Sequence, residues 1–409
     1  MRRVAITGLG AVSALGVGVP AFWSRVVEGR GGVGLISRFD ASGYIAQVAA
    51  EAPPIDASAL FSDAELPLLD RFAQLALIAA AEAWRASGIE LKEEEHDRAG
   101  VTIGSAMGGA ETQDERYFTF YGQGVTRVHP FSIPRMMNNA AAAQVSMRYG
   151  LRGPAMSYAT ACAASAHAIG EAAEMIRHGR ADVMVAGGAD APITPGVVRC
   201  WEAMRVLAPA ADDPVRSCRP FSRDRAGMVL GEGAGIVVLE AWDRAAARGA
   251  AILAELAGYG ATADAAHITQ PGVHAPARAI ATALAQGALR TSDVDYVNAH
   301  GTATRLNDST ETAVVKCAFG GDATRLAISS TKAVHGHAMG ASAALECIAT
   351  VLALRDGIVP PTANFTEPDP ACDLDCVPNT ARRQAIRAAI SNSFAFGGLN
   401  AVLALRRVA

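Results

Sequence analysis

Short apolar runs recur along the chain, and most of them lead into a glycine-containing turn or an alanine-rich stretch. Such runs are typical of strands buried on both faces, because these strands need not alternate apolar and polar residues. Strands that alternate with alanine-rich helices predict an α/β fold with buried sheets. The predicted strands cover residues 4–7, 99–103, 183–186, 236–239, 294–298 and 389–391.

The same pattern predicts two halves that resemble each other. Residues 237–240 end one strand, residues 241–248 have the composition of a connecting helix, and residues 251–259 begin a new strand. On each side of this point, a strand of small residues leads to a glycine-rich turn and a later strand is followed by a glycine pair. This repetition suggests an internal duplication. We expect one half over residues 1–248 and the other over residues 249–409.

Composition and charge exclude several classes of protein. With 51% hydrophobic and 19% charged residues, the chain of 409 residues can bury a large interior. Its isoelectric point of about 6.2 lies far below the value above roughly 9 that is typical of nucleic-acid-binding domains. No apolar run approaches the roughly 18 residues of a membrane span, and the first is too short for a signal peptide. We expect a cytoplasmic protein whose partners are neither nucleic acid nor membrane.

The seven cysteines are scattered and odd in number, which favours reduced thiols over a disulfide framework. Cys372 and Cys376 lie four residues apart, but no second ligand pair follows at the spacing of a zinc site. We expect no metal centre.

Cys162 is the first candidate for chemistry. It follows the turn Gly153-Pro154 and precedes residues 168–177, which have the composition of a helix. A helix N-terminus favours a thiolate, and small neighbours leave space for a substrate. A cysteine among alanines is also typical of a buried small hydrophobic residue. Both interpretations fit this motif taken alone.

His300 comes just after the predicted strand at residues 294–298, and a glycine, Thr302 and Thr304 follow it. A catalytic histidine and a histidine of a surface loop both fit this position.

A second histidine motif follows the short strand at residues 327–329. It contains Lys332, His335 and His337, and the helix after it contains Glu346. A His-Gly-His sequence can bind a metal, but no carboxylate or third histidine lies close by in the sequence. The lysine instead indicates electrostatic tuning of a histidine or anchoring of a carboxylate.

The fourth motif, residues 391–400, places two aromatic residues beside a glycine pair just before the last strand. A hinged wall beside a pocket and a tight packing corner both fit it. All four motifs lie at the carboxyl ends of predicted strands, which is where open α/β sheets bind ligands.

Together the four motifs resemble the β-ketoacyl-acyl-carrier-protein synthase family, and within it the elongating synthase II type. The resemblance covers essentially the whole chain, from residues 6–10 (ITGLG) through residues 219–221 (RPF) and 231–235 (GEGAG) to the closing glycine pair. It implies a thiolase-like fold, in which two similar α/β halves form a five-layered αβαβα arrangement, commonly in a dimer.

The resemblance also implies a role for each of several residues. The catalytic set would be Cys162, His300 and His337, with Lys332 and Glu346 in support. His337 rather than His335 matches the second histidine, because it lies five positions after the lysine and directly after a glycine. Backbone N–H groups of Cys162 and Phe396 would form the oxyanion hole, and Phe396 would be the gate. Substrate would contact Thr302, Thr304, Met107, Phe131 and Ser132, and the carrier protein would contact Arg127 and Arg205.

The implied reaction is a decarboxylative condensation. Cys162 would hold an acyl group as a thioester, and a malonyl group on a carrier protein would lose carbon dioxide and attack it. The implied partners are acyl carrier protein and a second copy or a related subunit. No cofactor is expected beyond the phosphopantetheine of the carrier.

Three departures from the family pattern bear on the substrate. Ala395 and Leu399 replace a glycine and a threonine of the gate, and alanine has the narrower backbone range. Ser132 stands where fatty-acid enzymes often have a second phenylalanine, which suggests a longer or differently shaped tunnel. Residues 64–70 lack the basic side chains that many relatives present to the carrier.

The sequence also bears on three alternatives. A non-catalytic chain-length partner of the same fold typically lacks the nucleophilic cysteine, which is present here. A degradative thiolase would need a second cysteine near the C-terminus, and residues 393–400 contain none. His337 disfavours an initiating synthase of the Cys-His-Asn type. Whether the pathway makes fatty acids, polyketides or polyenes stays open, as does the choice between homodimer and heterodimer.

Overall fold

The computed structural model describes residues 1–408, and strands alternate with helices along most of them. The strands are β1 (Val4–Ser13), β2 (Gly16–Val17), β3 (Gly34–Leu35), β4 (Val48–Ala49), β5 (Ala99–Gly104), β6 (Ala155–Tyr158), β7 (Val183–Asp190), β8 (Gly233–Ala241), β9 (Ala254–Ala263), β10 (Val294–Asn298), β11 (Ala327–Ser329), β12 (Ile358–Val359), β13 (Arg382–Arg383), β14 (Ala388–Ala395) and β15 (Leu399–Arg406). The helices are α1 (Val19–Glu28), α2 (Arg71–Ser87), α3 (Ala110–Tyr117), α4 (Ser132–Met136), α5 (Ala140–Tyr149), α6 (Ala164–Arg177), α7 (Pro195–Ala203), α8 (Trp242–Ala247), α9 (His274–Gln286), α10 (Arg305–Phe319), α11 (Lys332–His335) and α12 (Ser342–Asp356).

Two sets of five strands share one topology. The order is β1-β8-β7-β5-β6 in the first set and β9-β15-β14-β10-β11 in the second. In both sets the first two pairings are antiparallel and the last two are parallel. A short antiparallel contact between β1 and β9 joins the two sets. The predicted similarity of two α/β halves is therefore confirmed.

Helices α6 and α12 form the central layer between the two sets of strands. Each helix contacts strands of both sets, and 13 of the 15 residues of α12 are buried. A helix that is apolar on all sides is typical of a fully buried position. Helices α2 and α9 cover the outer faces, so the layers run helix, sheet, helix, sheet, helix as predicted. In the chain, α6 comes after β6 and α12 comes after β11, and these two strands have the same position at the end of their sets, so the two helices occupy equivalent places.

Some strands are longer than their apolar runs suggest. β1 continues through Gly8 and Gly10, where the sequence pattern indicates a turn. A Cβ atom on Gly10 would lie 1.9 Å from the carbonyl oxygen of Ala79 in α2. Gly260 of β9 meets Ala279 of α9 in the same way, at 2.0 Å. These glycines permit close helix–sheet packing rather than chain reversal.

Among residues 1–408, no helix is both long enough and apolar enough to cross a membrane.

The first half carries an ion-pair cluster around Asp182, and its contribution to stability can be measured. The carboxylate of Asp182 accepts hydrogen bonds from Arg98 and Arg2, and these contacts lower its pKa from 3.8 to about 2. Because the pKa is lowered in the folded state, the stabilisation is complete above the unfolded value and is lost as pH falls from about 4 to about 2. We expect Asp182→Asn to lower the free energy of unfolding at pH 7 by about 1 kcal/mol.

The measurement is denaturant unfolding of both proteins between pH 7 and pH 2. The difference between them should shrink across the acid range. Asp243→Asn, which removes an exposed partner of Arg2, is the control and should change little. A difference that stays constant down to pH 2 would contradict this account.

Candidate active site

Cys162 lies at the entrance to the buried helix α6. A short 3₁₀ turn, Ala161–Ala163, leads directly into the helix, and Ala161 adopts a left-handed φ of 50°. Such backbone strain in a non-glycine residue is often found at functional sites. The thiol is buried, and burial raises its pKa from 9.0 to about 12, although the charge of Lys332 opposes the shift. The resting sulfur is therefore a neutral thiol, because burial outweighs the helix N-terminus that favours a thiolate.

His337 contacts this sulfur from the second half of the chain. Its Nε2 lies 3.1 Å from the Sγ of Cys162. Its backbone N–H donates to the carbonyl of Val229 over 2.7 Å, and its carbonyl accepts from the N–H of Gly231 over 2.8 Å. These two bonds attach the histidine loop to the first half, so the sulfur–nitrogen contact depends on how the halves pack.

His300 completes the group at the end of β10. The backbone N–H groups of His300 and Gly301 both donate to the Glu311 carboxylate over 2.8 Å. The ring is buried, and its centroid lies 5.6 Å from that of His337 at an interplanar angle of 86°. The interpretation of His300 as a surface-loop residue is therefore wrong. Burial, and then the charge of Lys332, lowers the pKa of both histidines well below 6.5, so both rings are neutral.

Lys332 and Glu346 form a fully buried ion pair beside the histidines. The ammonium group also donates to the carbonyl oxygen of His300 over 2.6 Å. Burial raises the pKa of Glu346 to about 7, and Lys332 opposes that shift. The lysine thus fixes the His300 backbone and keeps positive charge close to the thiol. His335 is the histidine that does not match the family motif, and its Nε2 contacts the hydroxyl of Thr331.

Asp190 is a structural support that the sequence analysis did not identify. Its carboxylate, at the end of β7, accepts hydrogen bonds from Ser105 Oγ at 2.7 Å and from the N–H groups of Ala106, Met107 and Gly340 at 2.9, 3.0 and 2.7 Å. It therefore joins loops of both halves behind the site. A lone aspartate after a glycine pair carries no sequence signal for this role.

Ser165 is a second missed support. Its hydroxyl accepts the N–H of Ala344 over 2.9 Å, so a residue of α6 binds the first turn of α12. The two helices that carry the sulfur and the histidine loop are thereby linked directly.

Cys162, His300 and His337 all line one cavity of about 230 Å³. Thr302 and Thr304 line this cavity, and their hydroxyls lie 3.0 Å apart. Phe396 and the loop of residues 267–271 also line it. The structure therefore places six predicted site residues around one space: Cys162, His300, His337, Thr302, Thr304 and Phe396.

The gate segment is attached to a neighbouring loop. Gly397 has φ 82° and its N–H donates to the carbonyl of Ile268 over 2.7 Å. The N–H of Asp264 donates to the carbonyl of Gly398 over 2.9 Å. Ala395, which stands where relatives have glycine, is extended at φ −102° and ψ 159° and is unstrained in this conformation. The alternative of a simple packing corner does not account for the ring of Phe396, which lines the cavity.

A second cavity, of about 360 Å³, lies next to the first. Trp201 and Met204 line both cavities, and Met107 lines the second. The indole of Trp201 stacks on Phe396 with ring centroids 5.7 Å apart and planes inclined by 24°. Trp201 therefore forms a wall between the two spaces, and no sequence motif pointed to it.

Other predicted substrate and carrier residues lie away from these walls. Phe131 is half exposed, and the Ser132 hydroxyl donates to the carbonyl of His129 over 2.7 Å. Neither residue lines the two cavities within this single chain. Arg127 and Arg205 are exposed, and Arg205 has φ 56°.

The sulfur and ring nitrogens of Cys162, His300 and His337 lie within 4.8 Å of one another. Thiolate and imidazole are ligands that Zn²⁺ prefers. The buried positive charge of Lys332 beside them opposes a divalent cation, and the neutral thiol would have to lose its proton. The arrangement favours a nucleophile with two hydrogen-bonding imidazoles.

Family models match most of the chain. The description "Beta-ketoacyl synthase, N-terminal domain" matches residues 1–245, and "Beta-ketoacyl synthase, C-terminal domain" matches residues 253–366.

Two curated relatives and one solved structure extend this likeness to the whole chain. Nodulation protein E of Rhizobium sp. (strain N33) is 47% identical over 407 residues and covers 100% of both chains. The 3-oxoacyl-[acyl-carrier-protein] synthase 2 of Coxiella burnetii is 43% identical and covers 100% of this chain and 99% of its own. The ishigamide ketosynthase/chain length factor structure superposes with a TM-score of 0.92, at 36% identity and full coverage of both chains. The family predicted from the four motifs is confirmed: the chain belongs to the β-ketoacyl synthase family.

Proposed function

We propose that this protein is a β-ketoacyl-acyl-carrier-protein synthase that joins a malonyl unit to an acyl group held on Cys162. One observation carries the proposal: the sulfur of Cys162 and the Nε2 of His337 lie 3.1 Å apart, and both residues line the cavity together with His300. A nucleophile with a base within hydrogen-bond reach is the arrangement that covalent acyl transfer needs.

Acyl transfer is the first half-reaction. As the sulfur attacks the thioester of an acyl-carrier, its proton passes to Nε2 of His337 and then to the departing pantetheine sulfur. The N–H groups of Cys162 and Phe396 hold the oxygen of the tetrahedral intermediate, a contribution typically worth about 10²–10³ in rate. Thr302 and Thr304 hold the pantetheine arm, and no separate cofactor takes part.

Condensation is the second half-reaction. The malonyl group loses carbon dioxide, and its electrons form an enolate on the thioester. The neutral rings of His300 and His337 donate hydrogen bonds to that oxygen, and Lys332 and Glu346 set their protonation and position. The enolate carbon then attacks the acyl thioester, and the Cys162 sulfur leaves as a thiolate and takes up one proton from water, the proton that the reaction consumes overall.

We also propose that residues 1–248 and 249–409 are the two halves of the enzyme, one carrying the nucleophile and the other the two histidines. The matching strand orders and the equivalent positions of α6 and α12 support this division. The seven free cysteines support a cytoplasmic, reducing location.

For partners, we propose acyl carrier protein, contacted through Arg127 and Arg205, and a second subunit, either a copy or a related ketosynthase-like chain. The name of the Coxiella relative supports the first, and the ketosynthase/chain length factor structure supports the second. Tyr117, at the second cavity, contacts Tyr121, which contacts Phe120, and all three are at least 43% exposed. Such an apolar surface is typical of a subunit interface, and Phe131 and Ser132 lie in the same region of the sequence.

A chain-length partner subunit is the alternative function. It would need no nucleophile, whereas this chain has Cys162, His300 and His337 in one group.

The first test uses Cys162→Gln. This variant should lose condensation, because it lacks the nucleophile, while its imidazoles still support decarboxylation of malonyl-carrier. Both activities are measured with acyl-carriers of varied chain length and unsaturation, alone and with the product of a neighbouring ketosynthase-like gene. Full condensation in the variant, or none in the wild type with any combination, would refute the proposal.

The second test uses Trp201→Ala, which removes the wall between the two cavities. We expect kcat/KM for long acyl-carriers to rise relative to short ones, because the chain can then extend from Cys162 into the second space. Trp84→Phe, at a site that packs on Tyr149, is the control. An unchanged ratio of long to short substrates would show that Trp201 does not limit the chain.

A further inference from the structure

A buried hydroxyl group meets His337 on the side opposite the nucleophile. Ser342, the first residue of α12, is fully buried, and its Oγ lies 2.8 Å from Nδ1 of His337. The other ring nitrogen, Nε2, is the atom that contacts Cys162. The imidazole therefore bridges a hydroxyl and the thiol, and the family resemblance gave Ser342 no role.

The helix does not use this hydroxyl. A serine at the N-cap usually bonds to a free backbone N–H of the first turn, but the N-cap of α12 is Ala341 and Ser342 is the first helical residue. Here the N–H of Ala344 is bound by Ser165 of α6 instead, over 2.9 Å. Within residues 1–408, the Ser342 side chain makes one hydrogen bond, and its partner is His337. Its position is therefore explained by the histidine and not by capping.

The Ser342 hydroxyl can pair with either neutral form of the His337 ring. A neutral imidazole has one N–H, and the partner of one nitrogen sets the state of the other. A hydroxyl can accept from Nδ1–H, which leaves Nε2 free to take the thiol proton, or it can donate to a bare Nδ1, which places the ring proton on Nε2. A carbonyl oxygen in the same place could support the first form only.

We propose that Ser342 is a positioning residue whose Oγ accepts a hydrogen bond from Nδ1–H of His337 in the resting enzyme, which leaves Nε2 free to act as the base for Cys162. This inference rests on the proposed function and adds a residue to it. In the first half-reaction, the thiol proton moves to Nε2 and from there to the leaving pantetheine sulfur, and the Nδ1 proton stays in place. Between half-reactions the ring exchanges its proton with water, with no net change, and Ser342 then donates to Nδ1 while Nε2–H faces the malonyl thioester.

Ser342→Ala distinguishes this role from a structural one. Without an acceptor at Nδ1, the ring proton moves to Nε2, where it can bond to sulfur, because a buried N–H is seldom left unpaired. Nε2 then no longer accepts the thiol proton, so Cys162 reacts more slowly. Decarboxylation of malonyl-carrier needs Nε2–H and should be affected much less.

The experiment measures alkylation of Cys162 by iodoacetamide, followed by mass spectrometry of its peptide. Ser342→Ala should slow alkylation about tenfold, the loss expected when one buried hydrogen-bond partner is removed. Thr350→Val removes a hydroxyl from the same helix that bonds only within it, and should leave the rate unchanged. In a His337→Ala background, Ser342→Ala should have no further effect, because the serine acts through that ring.

Three results would overturn the inference: alkylation of Ser342→Ala at the wild-type rate, equal slowing in the presence and absence of His337, or equal loss of acyl transfer and decarboxylation in Ser342→Ala. Thermal unfolding of each variant checks that the fold is intact. Alkylation requires no condensation, so failure of the proposed function in the wild type would be seen separately from failure of this inference.

Discussion

The contact between the sulfur of Cys162 and the Nε2 of His337 depends on the packing of two equivalent helices. In the chain, α6 comes after β6 and α12 comes after β11, and Cys162 and His337 lie just before the first residues of the two helices. Burial at that place has two effects with one cause: it keeps the thiol protonated and it keeps both imidazoles neutral. A neutral thiol within reach of a neutral base can give up its proton to that base as the sulfur attacks an electrophile.

The supports behind the site explain why so short a contact can be held across the two halves. The Asp190 carboxylate accepts hydrogen bonds from four donors in loops of both halves. Ser165 links α6 to α12 by a hydrogen bond, and the backbone of His337 bonds to residues 229 and 231 of the first half. Lys332 fixes the backbone of His300 while its charge is balanced by Glu346. The reactive groups are therefore placed by backbone bonds and buried charges, and not by flexible surface side chains.

Much of this could be predicted from the sequence, because the strand pattern and the motifs at strand ends are local features. The alternation of elements and the repeated halves follow from them. The roles of Cys162, His300 and His337 are implied by the resemblance of the four motifs to a known family, because each motif taken alone leaves its role open. The glycines of β1 were misread as a turn, since their role depends on a helix more than 60 residues away. Four further residues could not be predicted from the sequence. Asp190, Ser165 and Trp201 contact partners that are distant in the sequence. Ser342 lies five residues from His337, but it belongs to no recognised motif. The roles of Phe131 and Ser132 stay predictions, since neither lines a cavity of the single chain.

The most direct measurement is the mass of the intact protein after incubation with an acyl-carrier and no malonyl-carrier, followed by peptide mapping. The account predicts one acyl group per chain, attached to Cys162 and to none of the other six cysteines, and lost when malonyl-carrier is added. An unmodified chain, or an acyl group on the exposed Cys200 or Cys317, would contradict it.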